Sequence, residues 1–119
     1  MREKMANERI LVVDDEESIC RLCSLELQKL NLSVDWTTSP LKALDKLRQT
    51  HYDLVLTDIK MPQMSGIELM KQVHQLDPGI PVVIMTAYAS YEITLQALQQ
   101  GAANFINKPF HRDEFRFTL

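Results

Sequence analysis

Several ionisable or hydroxyl-bearing side chains directly follow short apolar runs of the sequence, in an arrangement that could place them in one site. They are Asp14 and Asp15 after ILVV, Asp58 after DLVLT, Thr86 after VVIM, and Lys108 after NFIN. If the three carboxylates converge they need a cation, because two like charges about 4 Å apart repel by about 4 kcal/mol at an effective dielectric constant of about 20. A hard ion such as Mg²⁺ binds carboxylate oxygens and keeps water positions open for a phosphate. These residue types therefore indicate phosphoryl chemistry.

The individual residue types suit that chemistry. A carboxylate can be the nucleophile, while a metal ion and a lysine neutralise the charge of the transferring phosphoryl group. A threonine hydroxyl can donate a hydrogen bond to a phosphoryl oxygen. Taken singly, the acids of residues 14–17 could instead cap a helix, and Asp58 could cap a loop. Thr86 and Lys108 could be a strand-end hydroxyl and a solvated side chain, but the joint occurrence at four strand ends favours a common site.

The apolar runs alternate with helical patterns along the chain. Strands are predicted over residues 10–13, 33–36, 53–57, 82–85 and 104–107, and helices over 19–30, from Pro40, and over 67–76, 91–100 and 113–119. This alternation predicts an α/β fold, a doubly wound five-stranded parallel sheet with helices on both faces. Parallel strands end at the same edge of a sheet, and binding sites form at that edge. Such a fold would gather the polar side chains.

Composition restricts the class of protein. The chain is 45% hydrophobic and 24% charged with a net charge of −3, which fits one domain and argues against a nucleic-acid-binding surface. No apolar stretch approaches the about 20 residues of a membrane span, and the polar start lacks a signal peptide, so we expect a cytoplasmic protein. Cys20 and Cys23 fall in a helical pattern, and we interpret them as buried helix residues rather than redox or zinc-binding cysteines.

Four segments together resemble the signature segments of bacterial two-component response-regulator receiver domains, the CheY-like phosphoacceptor domains. They are LVVDDEE, LVLTDIKMPQMSGIEL, VVIMTAYAS and GAANFINKPF, in the family's order and at its spacing. The resemblance spans residues 9 to about 115 and implies a flavodoxin-like sheet of order 2-1-3-4-5. Residues 1–8 are polar and are expected to form a loose lead-in, and the resemblance implies a receiver domain over 9–119. The last helix of that domain would be incomplete, and the effector domain would be absent from this chain.

The resemblance assigns the phosphate acceptor and the metal ligands. Asp58 matches the aspartate that takes a phosphoryl group from a sensor histidine kinase or a histidine phosphotransfer protein. Asp15 matches the carboxylate that binds Mg²⁺ directly, and Asp14 matches the one that assists. Lys60 matches the position whose backbone carbonyl binds the metal. The expected metal site is therefore Asp14, Asp15, Asp58 and Lys60, with Mg²⁺ as the cofactor.

The resemblance also implies how the signal passes on. Thr86 and Lys108 match the hydroxyl and the ammonium group that contact the phosphoryl group, and Phe105 matches the aromatic residue of the conformational switch. The domain would relay its state to a covalently linked effector, and would be a switch rather than an enzyme acting on other substrates. The segments resemble the receivers of enhancer-binding transcription activators, which often carry an ATPase and a DNA-binding domain. A partner or homodimer surface is expected over residues 93–103 and 110–117.

Three other functions share part of this pattern. A flavodoxin-type cofactor binder has the same strand order but needs a Ser/Thr/Gly-rich loop after the first strand, where this chain has DDEES. An aspartyl-phosphate phosphatase places its nucleophile after the first strand, whereas Asp58 follows the third. A receiver-like interaction module that is never phosphorylated usually lacks one of the acids or the lysine, and none is missing here.

Overall fold

The computed structural model describes residues 8–87 and 91–107, with only the backbone of Tyr91. In this part of the chain five strands alternate with four helices. They are β1 (Arg9–Val13), α1 (Glu17–Gln28), β2 (Ser33–Thr37), α2 (Pro40–Gln49), β3 (Leu54–Asp58), α3 (Gly66–Leu76), β4 (Val82–Thr86), α4 (Tyr91–Gln99) and β5 (Asn104–Asn107). The predicted helix over 113–119, Lys108, and all of the predicted lead-in except residue 8 lie outside the described residues.

The strands form one parallel sheet in the order β2-β1-β3-β4-β5. This confirms the predicted fold class and strand order. Strand β1 lies between β2 and β3, and its pairing with β3 brings Val13 level with Thr57. The residues that follow these two, Asp14 and Asp58, therefore lie at the same edge of the sheet.

Apolar side chains cover both faces of the sheet, as predicted for a parallel sheet. One face packs against α1 through buried residues of that helix, among them Cys20, Cys23 and Leu27. The other face packs against α2, α3 and α4, with Leu44, Val73 and Ala97 among the buried contacts. The two cysteines are free and buried, which confirms their interpretation as helix residues packed in the core. Among the described helices, none combines the length and apolar character needed to cross a membrane.

Three element boundaries differ from the prediction in ways that matter for the site. Strands β3 and β4 each extend one residue further, so that Asp58 and Thr86 are their last residues. The ladder reaches these residues because Asp58 pairs with Met85 and Thr86 pairs with Asn107. Helix α1 ends at Gln28, earlier than its apolar pattern suggested. The chain leaves the helix through a tight turn in which Asn31 has a φ of 65°, a conformation that asparagine tolerates.

Candidate functional site

The three predicted carboxylates lie together at the carboxyl edge of the sheet. One carboxylate oxygen from each of Asp14, Asp15 and Asp58 can be chosen so that all three atoms lie within 4.8 Å of one another. Asp14 is fully buried and Asp58 is 7% exposed, whereas Asp15 is exposed. Two members of the cluster, Asp14 and Asp58, are therefore buried, and the cluster is open to solvent beside Asp15.

Backbone amide groups orient the two buried carboxylates. The amide of Glu16 donates a hydrogen bond to Asp14 Oδ1 at 2.9 Å, and the amide of Ile59 donates to Asp58 Oδ1 at 2.7 Å. Both bonds form where the chain turns away from its strand, so they fix the carboxylates relative to the sheet. Sequence reasoning did not identify these donors, because every residue except proline carries a backbone N–H and no residue type marks it.

A cysteine of helix α1 contacts the backbone next to the acidic cluster. The Cys20 thiol donates a hydrogen bond to the backbone carbonyl of Asp14 at 3.3 Å and lies 3.7 Å from the carbonyl of Thr37. It therefore links the helix to the ends of β1 and β2. The C-x-x-C spacing gives no signal for this contact, because the contact depends on the crossing of α1 over the sheet.

The other predicted site residues occupy positions around the cluster. Thr86 is buried at the end of β4, the strand next to β3, one residue beyond the partner of Asp58. Lys60 is exposed on the loop that follows β3. Phe105 is half-buried on β5, where it pairs with Ile84 and packs against the core on the α2–α4 side. Lys108 follows β5 directly but lies outside the described residues, so its contact with the site stays a prediction.

A hydrogen bond joins the first residue of helix α3 to the residue that follows β3. The amide of Gly66 donates to the carbonyl of Ile59 at 2.9 Å. Ser65 caps the helix, because its hydroxyl accepts from the Glu68 amide and the Glu68 carboxylate accepts from the Ser65 amide. The first turn of α3 is consequently fixed against the end of β3, beside the acidic cluster.

The donor set suits a hard divalent cation. Mg²⁺ and related ions prefer oxygen ligands and bind to one or two carboxylates while keeping several water molecules. Two preoriented carboxylates and a third at the solvent side provide such ligands without closing the coordination sphere. The protein residues that would hold the ion are those of the acidic cluster, which is open to solvent beside Asp15.

Comparison with known proteins identifies the family. The chain matches the response regulator receiver domain family over residues 10–119, and it belongs to that family. Receiver domains are the phosphorylation-dependent switches of two-component systems, signalling phosphoacceptors rather than enzymes in the usual sense. They generally bind Mg²⁺ at an acidic pocket, and this chain has such a cluster.

Individual relatives agree with the family assignment. The chain is 42% identical to the transcriptional regulatory protein ZraR of Klebsiella oxytoca. The match covers 92% of this chain but only 25% of the length of ZraR. It is 38% identical to the sporulation initiation phosphotransferase F of Bacillus subtilis, covering 94% of this chain and 90% of that protein. The beryllofluoride-activated NtrC4 receiver domain dimer superimposes with a TM-score of 0.87 at 29% identity, covering 92% and 91% of the two chains.

The comparisons favour the receiver interpretation over two of its alternatives. The family that matches is neither a flavin-binding family nor a phosphatase family. The third alternative, a receiver fold that is never phosphorylated, belongs to the same family and has to be separated by experiment.

Proposed function

We propose that this chain accepts a phosphoryl group on Asp58 in a Mg²⁺-dependent reaction, with a sensor histidine kinase or a histidine phosphotransfer protein as donor. The observation that carries the proposal is the acidic cluster. Asp58 lies within reach of Asp14 and Asp15, at the open edge of a receiver-type sheet. An aspartate that only capped a loop would not need two further carboxylates beside it.

Each residue of the cluster has a part in this proposal. Asp14 and Asp15, with the backbone carbonyl of Lys60, would hold the metal next to Asp58. The bound metal would neutralise charge on the transferring phosphoryl group. The Ile59 amide keeps the Asp58 carboxylate in one orientation, so that it need not be ordered at the moment of attack. In the transfer, a carboxylate oxygen of Asp58 forms the new O–P bond while the N–P bond of the donor phosphohistidine breaks.

Thr86 and Lys108 would respond to the phosphoryl group once it is attached. The Thr86 hydroxyl would donate to a phosphoryl oxygen, and the Lys108 ammonium group would pair with its charge. Thr86 is buried at the end of β4, and the neighbouring strand β5 carries the half-buried Phe105. A shift of the hydroxyl toward the site would open room for the aromatic ring to move inward, which is the switch that the resemblance implies.

The output of the domain is proposed from its relatives. ZraR of Klebsiella oxytoca is a transcriptional regulatory protein, and the similar NtrC4 receiver forms a dimer when activated. We infer a covalently linked effector that controls transcription in the cytoplasm, and a homodimer or partner surface formed by α4, β5 and the residues that follow. In that expected surface, residues 110–117 lie outside the described part of the chain.

The test is phosphorylation by a small donor. Incubation with acetyl phosphate and Mg²⁺ should add one phosphoryl mass to the wild-type chain, and beryllofluoride should bind in the same conditions. Asp58→Asn should abolish both, whereas omission of Mg²⁺ should reduce both strongly. Asp45→Asn is the matched control, because Asp45 is an exposed aspartate on α2 that pairs with Arg48.

The outcomes separate the alternatives. Labelling that persists in Asp58→Asn would show that another residue is the acceptor. A folded wild-type chain that binds neither phosphoryl group nor beryllofluoride would favour the interaction module that is never phosphorylated.

A further inference from the structure

Gly66, the first residue of helix α3, is in unusually close contact with the backbone of Asp58. A Cβ atom built on Gly66 would overlap the carbonyl oxygen of Asp58. It would also stand only 3.0 Å from the Asp58 carbonyl carbon and from the Cα of Ile59, the limit below which real Cβ atoms essentially never approach another atom. The helix therefore begins in direct contact with the last residue of β3.

The conformation of Gly66 does not by itself call for glycine. Its φ lies outside the left-handed region, in contrast to Gly101, whose φ is 114°. An alanine at the start of a helix would normally be at least as favourable as glycine, because glycine loses more backbone freedom on folding. The constraint at Gly66 is therefore the space beside Asp58 alone.

The neighbouring atoms cannot easily move away. The overlapping atom belongs to the backbone of β3, which is paired with β1 and β4 on its two sides. The Asp58 carbonyl also accepts a hydrogen bond from the Thr57 hydroxyl at 2.9 Å. On the other side, α3 is anchored in the core by Leu69, Met70 and Val73, which are fully buried. An added methyl group must displace either the end of β3 or the start of α3.

Either displacement reaches the acidic cluster. The Gly66 amide donates to the carbonyl of Ile59, and the Ile59 amide donates to the Asp58 carboxylate. A shift of the Gly66 backbone would therefore move Ile59, and with it the Asp58 carboxylate that is proposed to accept the phosphoryl group. Asp14 is oriented by a different donor, the Glu16 amide just ahead of α1, so a shift of the start of α3 would change the position of the Asp58 carboxylate relative to it.

We infer that Gly66 is a positioning residue: its missing side chain lets α3 begin against the Asp58 carbonyl, and this contact sets the Asp58 carboxylate in register with Asp14 and Asp15. The inference rests on the proposed function of the cluster as a metal and phosphoryl site. Gly66 would contact neither the metal ion nor the phosphoryl group, but it would help to determine the geometry of the site.

The experiment compares Mg²⁺ binding and acetyl phosphate labelling in the wild type, Gly66→Ala and two controls. Gly79→Ala adds the same methyl group where it would meet only the Asp77 side chain, at 3.3 Å. Val73→Ala destabilises α3 through its buried face, at a position seven residues after Gly66. Gly66→Ala should weaken Mg²⁺ binding and slow labelling by about tenfold or more, because a displacement of about 1 Å in a reacting group can cost a factor of about one hundred. Both controls should bind Mg²⁺ within about twofold of the wild type once folded.

A metal-free measurement separates this inference from the function on which it rests. In the ¹H–¹⁵N spectrum without Mg²⁺, the Ile59 amide reports its hydrogen bond to the Asp58 carboxylate. Gly66→Ala should shift the Ile59 signal, whereas Gly79→Ala and Val73→Ala should leave it in place. If the wild type neither binds Mg²⁺ nor becomes labelled, the proposed function fails while this shift still measures the positioning.

Two results would overturn the inference. A folded Gly66→Ala chain with wild-type Mg²⁺ binding and an unshifted Ile59 amide would show that the site tolerates the methyl group. A Gly66→Ala chain that does not fold, or one whose loss of Mg²⁺ affinity is matched by Val73→Ala, would assign Gly66 to the stability of the fold.

Discussion

Tyr52, just before β3, shows how a single residue can depend on a partner that is distant in sequence. Its side chain is only 2% exposed, and its hydroxyl donates a 2.6 Å hydrogen bond to Asp35 on β2. Burial, and then the nearby Asp35 carboxylate, raise the pKa of Tyr52 from 10.0 to about 12, although Arg9 opposes this slightly. The neutral phenol is therefore favoured in the folded state.

This raised pKa predicts a loss of stability at high pH. The unfolded chain releases the Tyr52 proton near pH 10, whereas the folded chain keeps it until about pH 12. The contribution to the free energy of unfolding is complete below about pH 10 and is lost as the pH rises toward about 12. Urea unfolding at several pH values in this window should show a steeper decline for the wild type than for Tyr52→Phe.

The phenylalanine variant also measures the hydrogen bond at neutral pH. Tyr52→Phe should lower the free energy of unfolding by about 1 kcal/mol, because Asp35 is partly exposed and can exchange the lost bond for water. Equal slopes of stability against pH in the two proteins would show that Tyr52 keeps an ordinary pKa.

Among the helices, α3 shows how a short sequence signal sets the start of an element. Ser65 and Glu68 form a reciprocal capping box at its amino end. The sequence predicted this helix from residue 67, and the structure begins it at Gly66. For α2, the predicted start at Pro40 is confirmed, and the Ser39 hydroxyl caps the helix by accepting from the Lys42 amide.

The capping box predicts a measurable loss on substitution. Ser65→Ala removes the acceptor for the Glu68 amide and should lower the free energy of unfolding by about 1 kcal/mol. Thermal or urea unfolding measures this loss. Glu68→Gln is the matched control, since glutamine keeps an acceptor for the Ser65 amide and should cost less. A larger loss in Glu68→Gln than in Ser65→Ala would mean that the charge of Glu68, rather than the box, stabilises the helix start.

At the scale of the whole molecule, binding of a cation at the proposed metal site should be coupled to stability. Three carboxylates with oxygens within 4.8 Å repel one another in the folded state and separate on unfolding. A cation that binds only the folded chain stabilises it by about 2.7 kcal/mol at a concentration of about one hundred times its dissociation constant. Mg²⁺ should therefore raise the melting temperature of the wild type.

Asp15→Asn should reverse the order of stability between the two conditions. Without Mg²⁺ the variant should be more stable than the wild type, because the substitution removes one of the three clustered carboxylates. With Mg²⁺ it should gain less than the wild type does. Melting curves with and without Mg²⁺ and with added EDTA measure both effects, and Asp45→Asn should behave as the wild type in both conditions. A wild-type melting temperature that does not respond to Mg²⁺ would contradict the prediction.

The sequence by itself determined the order and type of the elements. A strand buried on both faces needs a continuous apolar run, and ILVV is such a run. A helix that packs on a sheet needs apolar residues along one face, and Leu44 lies on that face of α2. The sequence also indicated the edge of the sheet at which the candidate site residues would gather, because polar residues follow four of the five runs. The convergence of Asp14, Asp15 and Asp58 followed once β1 and β3 were taken as neighbours.

Only the tertiary structure decided how those side chains are held. The amide bonds to Asp14 and Asp58, the Cys20 contact with the Asp14 carbonyl, and the approach of Gly66 to Asp58 come from backbone groups and crossing elements. Backbone donors have no residue type, and the distance between two elements depends on every side chain packed between them. The sequence therefore determined which residues meet at the sheet edge, and packing decided the atoms through which they meet.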